Sequence, residues 1–297
     1  MLLKEKEPAE PELSAESAET PATPPDYKWL PYAILALAGV TAAFWTLFRW
    51  LPDNWFGDDS YYAHGAVVPI CVALIIWDRW DKLKQIPVKG VTLAIIPIMA
   101  TLYVTWFAHR TDMRSFQSIL LLFLLAFGVL FVAGWRWLKG LALPIGYLGF
   151  ALPIFDRFVD SHTQTIQAWS TDLSFLIMKV GGLGPYRAAD MSTIIVDNFV
   201  MDVGVPCSGM KLLLAVFAIS VFFMLIAKLR WYANAILLAT VVPLTLVVNS
   251  IRIATIGLVG ANYGADAGHQ FHDYSGYISL VLCFVLLMKL TKVLGWK

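Results

Sequence analysis

The chain has 297 residues, of which 59% are hydrophobic and 14% charged, and its mean hydropathy is +0.68. Soluble domains carry about 45–50% apolar and about 25% charged residues, so the surface of a globular fold cannot accommodate this apolar excess. The formal net charge of +1 argues against a nucleic-acid partner, and three cysteines are too few for a disulfide scaffold, so the composition predicts an integral membrane protein.

The N-terminal segment differs in composition from the rest of the chain. Glu, Pro, Ala, Ser and Thr dominate residues 1–28, and large apolar residues are almost absent there. Such a sequence cannot bury enough surface to offset the entropy lost on ordering. We therefore expect residues 1–28 to form a disordered cytoplasmic tail without a cleavable signal peptide, and residues 29–297 to form one membrane-embedded domain.

A series of apolar segments follows the tail, and each is close to the roughly 20 residues that a membrane-spanning helix needs. They predict an all-α fold, namely a polytopic membrane helix bundle of about eight transmembrane helices. The predicted spans cover residues 30–51, 62–78, 90–108, 115–134, 138–155, 207–227, 233–256 and 275–294.

Basic residues in the connecting segments predict the orientation of these helices. Lys and Arg are concentrated in 79–89, in 135–139, in 228–230 and at the C-terminal end, and all four segments fall on one side of the membrane in this scheme. Positively charged loops favour the cytoplasmic side. We therefore expect a multi-pass protein of the plasma (inner) membrane with both termini in the cytoplasm.

The longest segment on the outer, periplasmic side covers residues 156–206. Its first half places apolar side chains on one helical stripe, which predicts an interfacial helix lying on the membrane. The stripe consists of Ile166, Trp169, Leu173, Leu176 and Ile177. The alternating, β-branched sequence of 186–203 then predicts a short outer β-hairpin.

The predicted topology brings reactive side chains from distant parts of the chain to the outer end of the bundle. Cys207 opens the sixth span, Arg252 lies near the outer end of the seventh, and His64 begins the second. His269 and His272 lie in the outer loop before the eighth span. A thiol, a guanidinium and imidazoles at one interface predict an active site there.

Cys207 is the candidate nucleophile. It precedes Ser208 at a predicted helix start, where unpaired backbone N–H groups and the helix dipole favour a thiolate. Lys211 would lie one helical turn later, where it could lower the pKa of the thiol, bind a substrate carboxylate or extend toward the headgroups. Cys71 and Cys283 fall within spans and are interpreted as small buried hydrophobic residues.

The remaining polar groups of the predicted site have roles that follow from their chemistry. Arg252 lies in a long apolar segment, where a cation needs a partner, a cavity or a path to the headgroups. Asn249 precedes it by one turn and would line the same face. His269 or His272 would act as the general base, and Asp273 would orient one of the rings.

Five sequence blocks occur in an order typical of one enzyme family and cover roughly residues 60–290. The blocks are YYAHGAVVPICVALIIWDRW, ALPIGYLGFALPIF, VGVPCSGMKLLLAV, VVNSIRIATIG and HQFHDYSGYISL. Together they resemble the exosortase/archaeosortase family of membrane-embedded cysteine peptidases and transpeptidases. The chain departs from that pattern at Pro206, where Ala is common, and at Met210-Lys211, where an aliphatic residue and Arg or Gln are common.

The resemblance implies a catalytic set of Cys207, Arg252 and His272 and no cofactor. It also implies cleavage of secreted proteins near a C-terminal sorting tail at the outer membrane–water interface. Transfer to a polysaccharide or lipid-linked acceptor is an alternative to hydrolysis. The residues that we expect to bind substrate or support catalysis are His64, Ser208, Lys211, Asn249, His269 and Asp273.

Two other functions fit the same residues. His64, His269 and His272 could bind Zn²⁺ in a metal-dependent membrane hydrolase, although no glutamate base lies nearby. A transporter or an assembly factor for exported polysaccharide is the second alternative. A transporter would place charges near the bilayer midplane, whereas the reactive residues here cluster at one edge. Both alternatives stay open beside the cysteine enzyme.

Overall fold

The computed structural model describes residues 30–57, 60–190, 192–204 and 207–296, so the expected tail at 1–28 lies outside the described residues. The helices among them are α1 Leu30–Ala43, α2 Trp45–Phe56, α3 Val68–Leu83, α4 Ile95–Arg110, α5 Arg114–Val132, α6 Trp135–Tyr147, α7 Asp156–Val180, α8 Met210–Ala227, α9 Trp231–Tyr263 and α10 Ala265–Val293. The strands are β1 Tyr186–Arg187, β2 Thr193–Val196 and β3 Phe199–Asp202. The chain divides into two compact units, Met1–Val40 and Thr41–Lys297, and the second contains α2 to α10.

Five helical segments are long and apolar enough to cross a membrane, among the residues that the structure describes. They are Thr92–Arg110, Arg114–Val132, Met210–Ala227, Trp231–Tyr263 and Ala265–Val293. The number rises to seven if each of two bent helix pairs forms one span, and these pairs are Ile34–Ala43 with Trp45–Phe56 and Trp135–Ala151 with Pro153–Val180. The all-α membrane helix bundle is therefore confirmed, with five to seven candidate spans where about eight were expected.

The differences from the expected spans have local causes. The second expected span is α3, whose 16 residues rise about 24 Å at 1.5 Å per residue, short of the about 30 Å of a bilayer core. The fifth expected span stops being α-helical at Tyr147 and continues as 3₁₀ turns over Leu148–Ala151 and Pro153–Phe155. Pro153 has no N–H with which to extend the helix.

Three of the four basic segments that were predicted to share one side of the membrane meet at one end of the bundle. Lys228 forms a 2.7 Å salt bridge with Asp78 of α3. Trp137 donates a hydrogen bond of 3.1 Å from Nε1 to the carbonyl of Ile86. Cys207 lies at the other end, because α8 separates it from Lys228. Which of the two ends faces the cytoplasm stays a prediction.

Helix α9 is the centre of the C-terminal half and packs against α7, α8 and α10. It ends at Tyr263, and α10 begins at Ala265 after the single residue Gly264, whose φ of 94° completes the reversal. The expected loop around His269 and His272 is therefore wrong. Both histidines lie in the first turns of α10, which Asp266 in the first turn favours electrostatically.

Helix α7 covers the first half of the segment for which an interfacial helix was predicted. Trp169 and Leu176 of the predicted apolar stripe are exposed and Ile166 is buried, so the stripe lies only in part on the face that α7 buries against the protein. The buried face carries small hydroxyl side chains, among them Thr163, Ser170 and Ser174. Small side chains let two helices approach closely in an apolar solvent, which accounts for the extensive packing of α7 on α9.

The predicted β-hairpin is present as β2 and β3, and the short strand β1 extends it to a three-stranded antiparallel sheet. Asp197, with φ of 52°, lies in the turn between β2 and β3. One face of the sheet is buried through Ile194, Val196, Phe199 and Met201, which pack in one hydrophobic cluster with residues of α9.

Candidate active site

Cys207 lies between the sheet and α8, in a short connection that is not part of either. Its N–H donates to the carbonyl of Gly204 at 3.0 Å, and α8 begins three positions later at Met210. The expectation that Cys207 opens the helix is therefore wrong. Gly209, with φ of 84°, redirects the chain between Cys207 and the helix, so Cys207 and Lys211 are not related by one helical turn.

Side chains of α7 and α9 hold this connection in place. Asn249 Nδ2 donates to the carbonyl of Cys207 at 3.0 Å, and Ser170 Oγ donates to the carbonyl of Ser208 at 3.3 Å. Ser208 Oγ in turn accepts the N–H of Met210 at 3.3 Å. A Cβ on Gly209 would lie 2.9 Å from Asn249 Nδ2, so the fit requires glycine at this position.

The structure brings the Cys207 thiol and the His272 imidazole into direct contact. Cys207 Sγ lies 2.7 Å from His272 Nε2, although the two residues are 65 positions apart in sequence. The other ring nitrogen, Nδ1, lies 3.4 Å from Asp273 Oδ1. The Asp273 carboxylate is 78% exposed, so it acts on the ring from solvent. A thiol whose proton can pass to a neighbouring imidazole is the arrangement that a cysteine nucleophile needs.

Arg252 reaches across from α9 to His272 and Ser275 of α10. Its Nε donates to Ser275 Oγ at 2.9 Å, and its Nη2 donates to the carbonyl of His272 at 3.2 Å. Ser275 Oγ also donates to the His272 carbonyl at 3.0 Å. Of the five N–H donors of a guanidinium, three have no hydrogen bond to the described residues. These donors are available to a developing negative charge beside Cys207.

The sequence predicted that a helix start would favour the thiolate of Cys207, and the surroundings of the thiol in the structure do not favour it. Cys207 is only 5% exposed, and burial raises the pKa of its thiol. The positive charge of Arg252 lowers this pKa, and the carboxylate of Asp202 raises it further. Burial is the largest of the three effects, so the resting form is the neutral thiol. His272 Nε2, 2.7 Å from the sulfur, is the group placed to accept the proton of this thiol.

Three other predicted residues have different surroundings. The exposed His269 ring contacts Phe199 of β3 edge-to-face, with centroids 5.9 Å apart, and it also acts electrostatically on His272. His64 stacks beside Tyr62 at 6.2 Å and interacts with the backbone of Phe150, so its contacts are with the junction between α6 and α7. Lys211 lies in the first turn of α8.

The described residues hold no group of three or more His, Cys, Asp or Glu side chains that is placed to bind a metal ion. His64, His269 and His272, which the zinc alternative would require together, point to different partners. Cys283 is fully buried in a hydrophobic cluster, as was predicted, whereas Cys71 is only half-buried at the edge of another.

Several residues of the site were not found by sequence reasoning. Ser170, Ser250 and Ser275 are buried, and each donates to a backbone carbonyl or contacts Arg252. Ser275 follows His272 by three positions, and in a helix this spacing places both residues on one face. The spacing indicates a contact only if the segment is predicted to be helical. Ser170 and Ser250 gave no such signal, because α7 and α9 are brought together only by the fold.

The helical bundle and the thiol–imidazole pair at one of its ends define a multi-pass membrane protein with an enzyme-like site. A family model described as transmembrane exosortase matches residues 50–289, most of the chain. The chain belongs to the transmembrane exosortase family, a family of membrane-embedded sorting enzymes of the peptidase and transpeptidase kind. No curated protein and no solved structure matches the chain.

Proposed function

We propose that this exosortase is a cysteine peptidase or transpeptidase that cleaves C-terminal sorting tails from secreted proteins at the outer, periplasmic membrane–water interface. The 2.7 Å contact between Cys207 Sγ and His272 Nε2 carries the proposal. Arg252, which is hydrogen-bonded to the backbone of His272, supplies positive charge beside this pair. The substrate therefore meets a nucleophile, a proton acceptor and an oxyanion partner in one place.

In the first half of the reaction, the proton of the Cys207 thiol passes to His272 Nε2. The sulfur attacks the carbonyl carbon of the scissile peptide bond, and the carbonyl oxygen becomes an oxyanion. The free N–H donors of Arg252 stabilise that oxyanion, since a guanidinium keeps its charge and offers forked donors. The intermediate collapses to a thioester as the C–N bond breaks, and His272 returns the proton to the leaving amine.

In the second half, an acceptor resolves the thioester. Neutral His272 removes a proton from water, from an amine or from a hydroxyl, the acceptor attacks the thioester carbonyl, and Cys207 leaves and regains its proton. Water yields hydrolysis, whereas a polysaccharide or lipid-linked acceptor yields transfer. The burial of Cys207 limits the access of water to the thioester, which favours transfer.

The experiment that tests this proposal replaces the sulfur alone. In cells that express a tagged secreted protein with a C-terminal apolar span and basic tail, Cys207→Ala is expected to leave only uncleaved precursor on an immunoblot. Cys207→Ser is expected to be nearly as inactive, because a hydroxyl without a strong base is a poor nucleophile. The protein should still accumulate in the membrane, since removing one sulfur leaves only a small cavity.

Cys71→Ala is the matched control, because it makes the same chemical change at a half-buried cysteine of α3 outside the site. It is expected to process the precursor at the normal rate. Normal processing by Cys207→Ala would overturn the cysteine-enzyme proposal.

A further inference from the structure

Within the part of the chain that the structure describes, strand β3 is an edge strand, and its outer edge is unpaired. The strand order is β1-β2-β3, so β3 has a neighbour on one side only. In an antiparallel pair, successive residues direct their N–H and C=O groups alternately toward the partner strand and away from it. The residues of β3 that point away from β2 therefore present free backbone groups, as edge strands do.

The hydrogen bonds of the sheet identify these residues. Val203 donates its N–H to the carbonyl of Ser192 on the β2 side at 3.2 Å. Because this direction alternates along the strand, the backbone N–H and C=O groups of Met201 also point toward β2, whereas those of Val200 and Asp202 point away from it. No hydrogen bond from the described residues reaches the backbone N–H or C=O of Val200 or Asp202. Both residues are exposed.

The sheet that presents this edge is fixed to the helices below it. Phe199 fills the space beside Gly260 of α9 and Gly268 of α10, where any Cβ would lie less than 3.0 Å from its ring. Arg187 of β1 forms a salt bridge of 2.6 Å with Asp172 of α7. The unpaired edge is therefore held in one position, which lowers the entropic cost of binding to it.

The same edge leads directly to the candidate nucleophile. Cys207 follows the last residue of β3 by five positions, and its N–H is hydrogen-bonded to Gly204. Asp202 is close enough for its carboxylate to act on the Cys207 thiol electrostatically. An extended chain lying along β3 would continue toward Cys207 and His272.

We propose that β3 binds the peptide substrate by strand addition, with the extended segment around the scissile bond pairing with the backbone of Val200 and Asp202. This inference rests on the proposed peptidase function and adds how the substrate is held. A segment that joins a folded secreted domain to its apolar tail has free backbone groups, which a folded domain does not offer. Recognition through the main chain provides affinity with little demand on side chains.

The first test uses unmodified enzyme and modified substrate. The probe is a synthetic peptide of the tail of a secreted precursor that accumulates in cells carrying Cys207→Ala. Single backbone N-methyl groups are placed at successive residues on both sides of the cleavage site. We expect methylation at alternate residues to raise KM about tenfold or more, and methylation at the residues between them to change KM less than about twofold.

The second test changes the enzyme. Val200→Pro removes the outward N–H, and the loss of one such hydrogen bond is expected to raise KM for the same peptide about threefold to tenfold, with kcat little changed. Val200→Ala keeps the N–H, so KM for the peptide is expected to rise less with this variant than with Val200→Pro. If Val200→Pro fails to fold, the N-methyl series on unchanged enzyme decides alone.

The outcomes separate this inference from the proposed function. An N-methyl series without alternation, in an enzyme that Cys207→Ala inactivates, overturns strand addition and leaves the peptidase proposal standing. Normal processing by Cys207→Ala overturns both. If Val200→Pro instead converts a dimeric enzyme to monomers and the N-methyl series shows no alternation, the edge pairs with a second copy of the chain and the inference is wrong.

Discussion

At the scale of single residues, the burial of Cys207 decides how the thiol can react. Helix-dipole and lysine effects would have produced a thiolate before substrate arrives, as in many reactive cysteines. The structure instead places the sulfur in a buried connection outside α8, where its pKa is raised. In the proposed mechanism, we therefore expect the proton of Cys207 to pass to His272 at the moment of attack.

The pH dependence of Cys207 alkylation tests whether the resting thiol is protonated. Since burial raises the pKa of Cys207, we expect its alkylation by iodoacetamide to increase with pH and to reach half-maximum above the about 8.5 of a free thiol. Arg252→Gln should move that midpoint to still higher pH, because the guanidinium lowers the pKa. Mass spectrometry of the Cys207 peptide gives the rates, and a midpoint well below neutrality would show a preformed thiolate–imidazolium pair.

Cys207, Arg252 and His272 were singled out by the predicted topology and the family resemblance, and the structure brings these three residues into contact. The hydrogen bonds that position these three residues could not be predicted from the sequence. Whether Arg252 contacts Ser275 depends on the rotamers of two helices and on the distance between their axes, and neither is written in local sequence. Hydroxyl residues are also common in helices, so Ser170 and Ser250 carried no distinguishing pattern.

At the scale of elements, the connection from β3 to α8 depends on Gly209. Its φ of 84° costs a residue with a Cβ about 1–2 kcal/mol, and the Cβ would also press on Asn249 Nδ2 at 2.9 Å. Gly209→Ala therefore displaces the side chain that holds the Cys207 carbonyl. This connection is short, but it contains Cys207 and is bound by side chains of α7 and α9.

We expect Gly209→Ala to slow precursor cleavage by about tenfold or more, because the strain and the clash shift Cys207 relative to His272. Gly128→Ala is the control. Gly128 lies inside α5 with nothing within 4 Å of its Cβ position, so the change is expected to leave cleavage unchanged. The immunoblot for uncleaved precursor and the amount of enzyme in the membrane are measured together. Equal cleavage by the two variants would show that the connection tolerates displacement.

Elements were predicted from the sequence to very different degrees. The long apolar helices and the β-hairpin follow from periodicity, which is a local property. The break at Tyr147 and the continuous helix through His269 and His272 did not follow from it. A polar segment such as GADAGHQFHDYSG is typical of a loop, and α10 is helical there because Gly264 reverses the chain in one residue.

At the scale of the whole molecule, the two ends of the bundle differ in charge and in chemistry. Three of the four basic segments meet at the end that carries Lys228, and Cys207 and His272 lie at the other. The rule that positive loops stay in the cytoplasm orients the second end outward. An active site there would meet proteins that have already been exported.

Labelling of intact spheroplasts tests this orientation. In enzyme without other thiols, we expect a membrane-impermeant maleimide to label a cysteine at Lys179→Cys, near the end of α7, because α7 lies on the side of Cys207. A cysteine at Lys84→Cys is expected to react only after permeabilisation. Both lysines are exposed, so accessibility to the reagent is matched. The reverse pattern of labelling would place the active site in the cytoplasm.

Two side chains of helix α9 form hydrogen bonds with the main chain of Cys207 and of His272. Asn249 binds the carbonyl of Cys207, and Arg252, three positions further, binds the carbonyl of His272. Asn249 and Arg252 are three residues apart, which corresponds to about 4.5 Å along the axis of α9. The rigid helix therefore fixes the spacing between the two carbonyls that these side chains bind. If α9 tilts or slides to match a thinner or thicker bilayer, both carbonyls move with it. We therefore expect the distance between Cys207 Sγ and His272 Nε2, and with it the rate of the proposed reaction, to change little with the thickness of the bilayer.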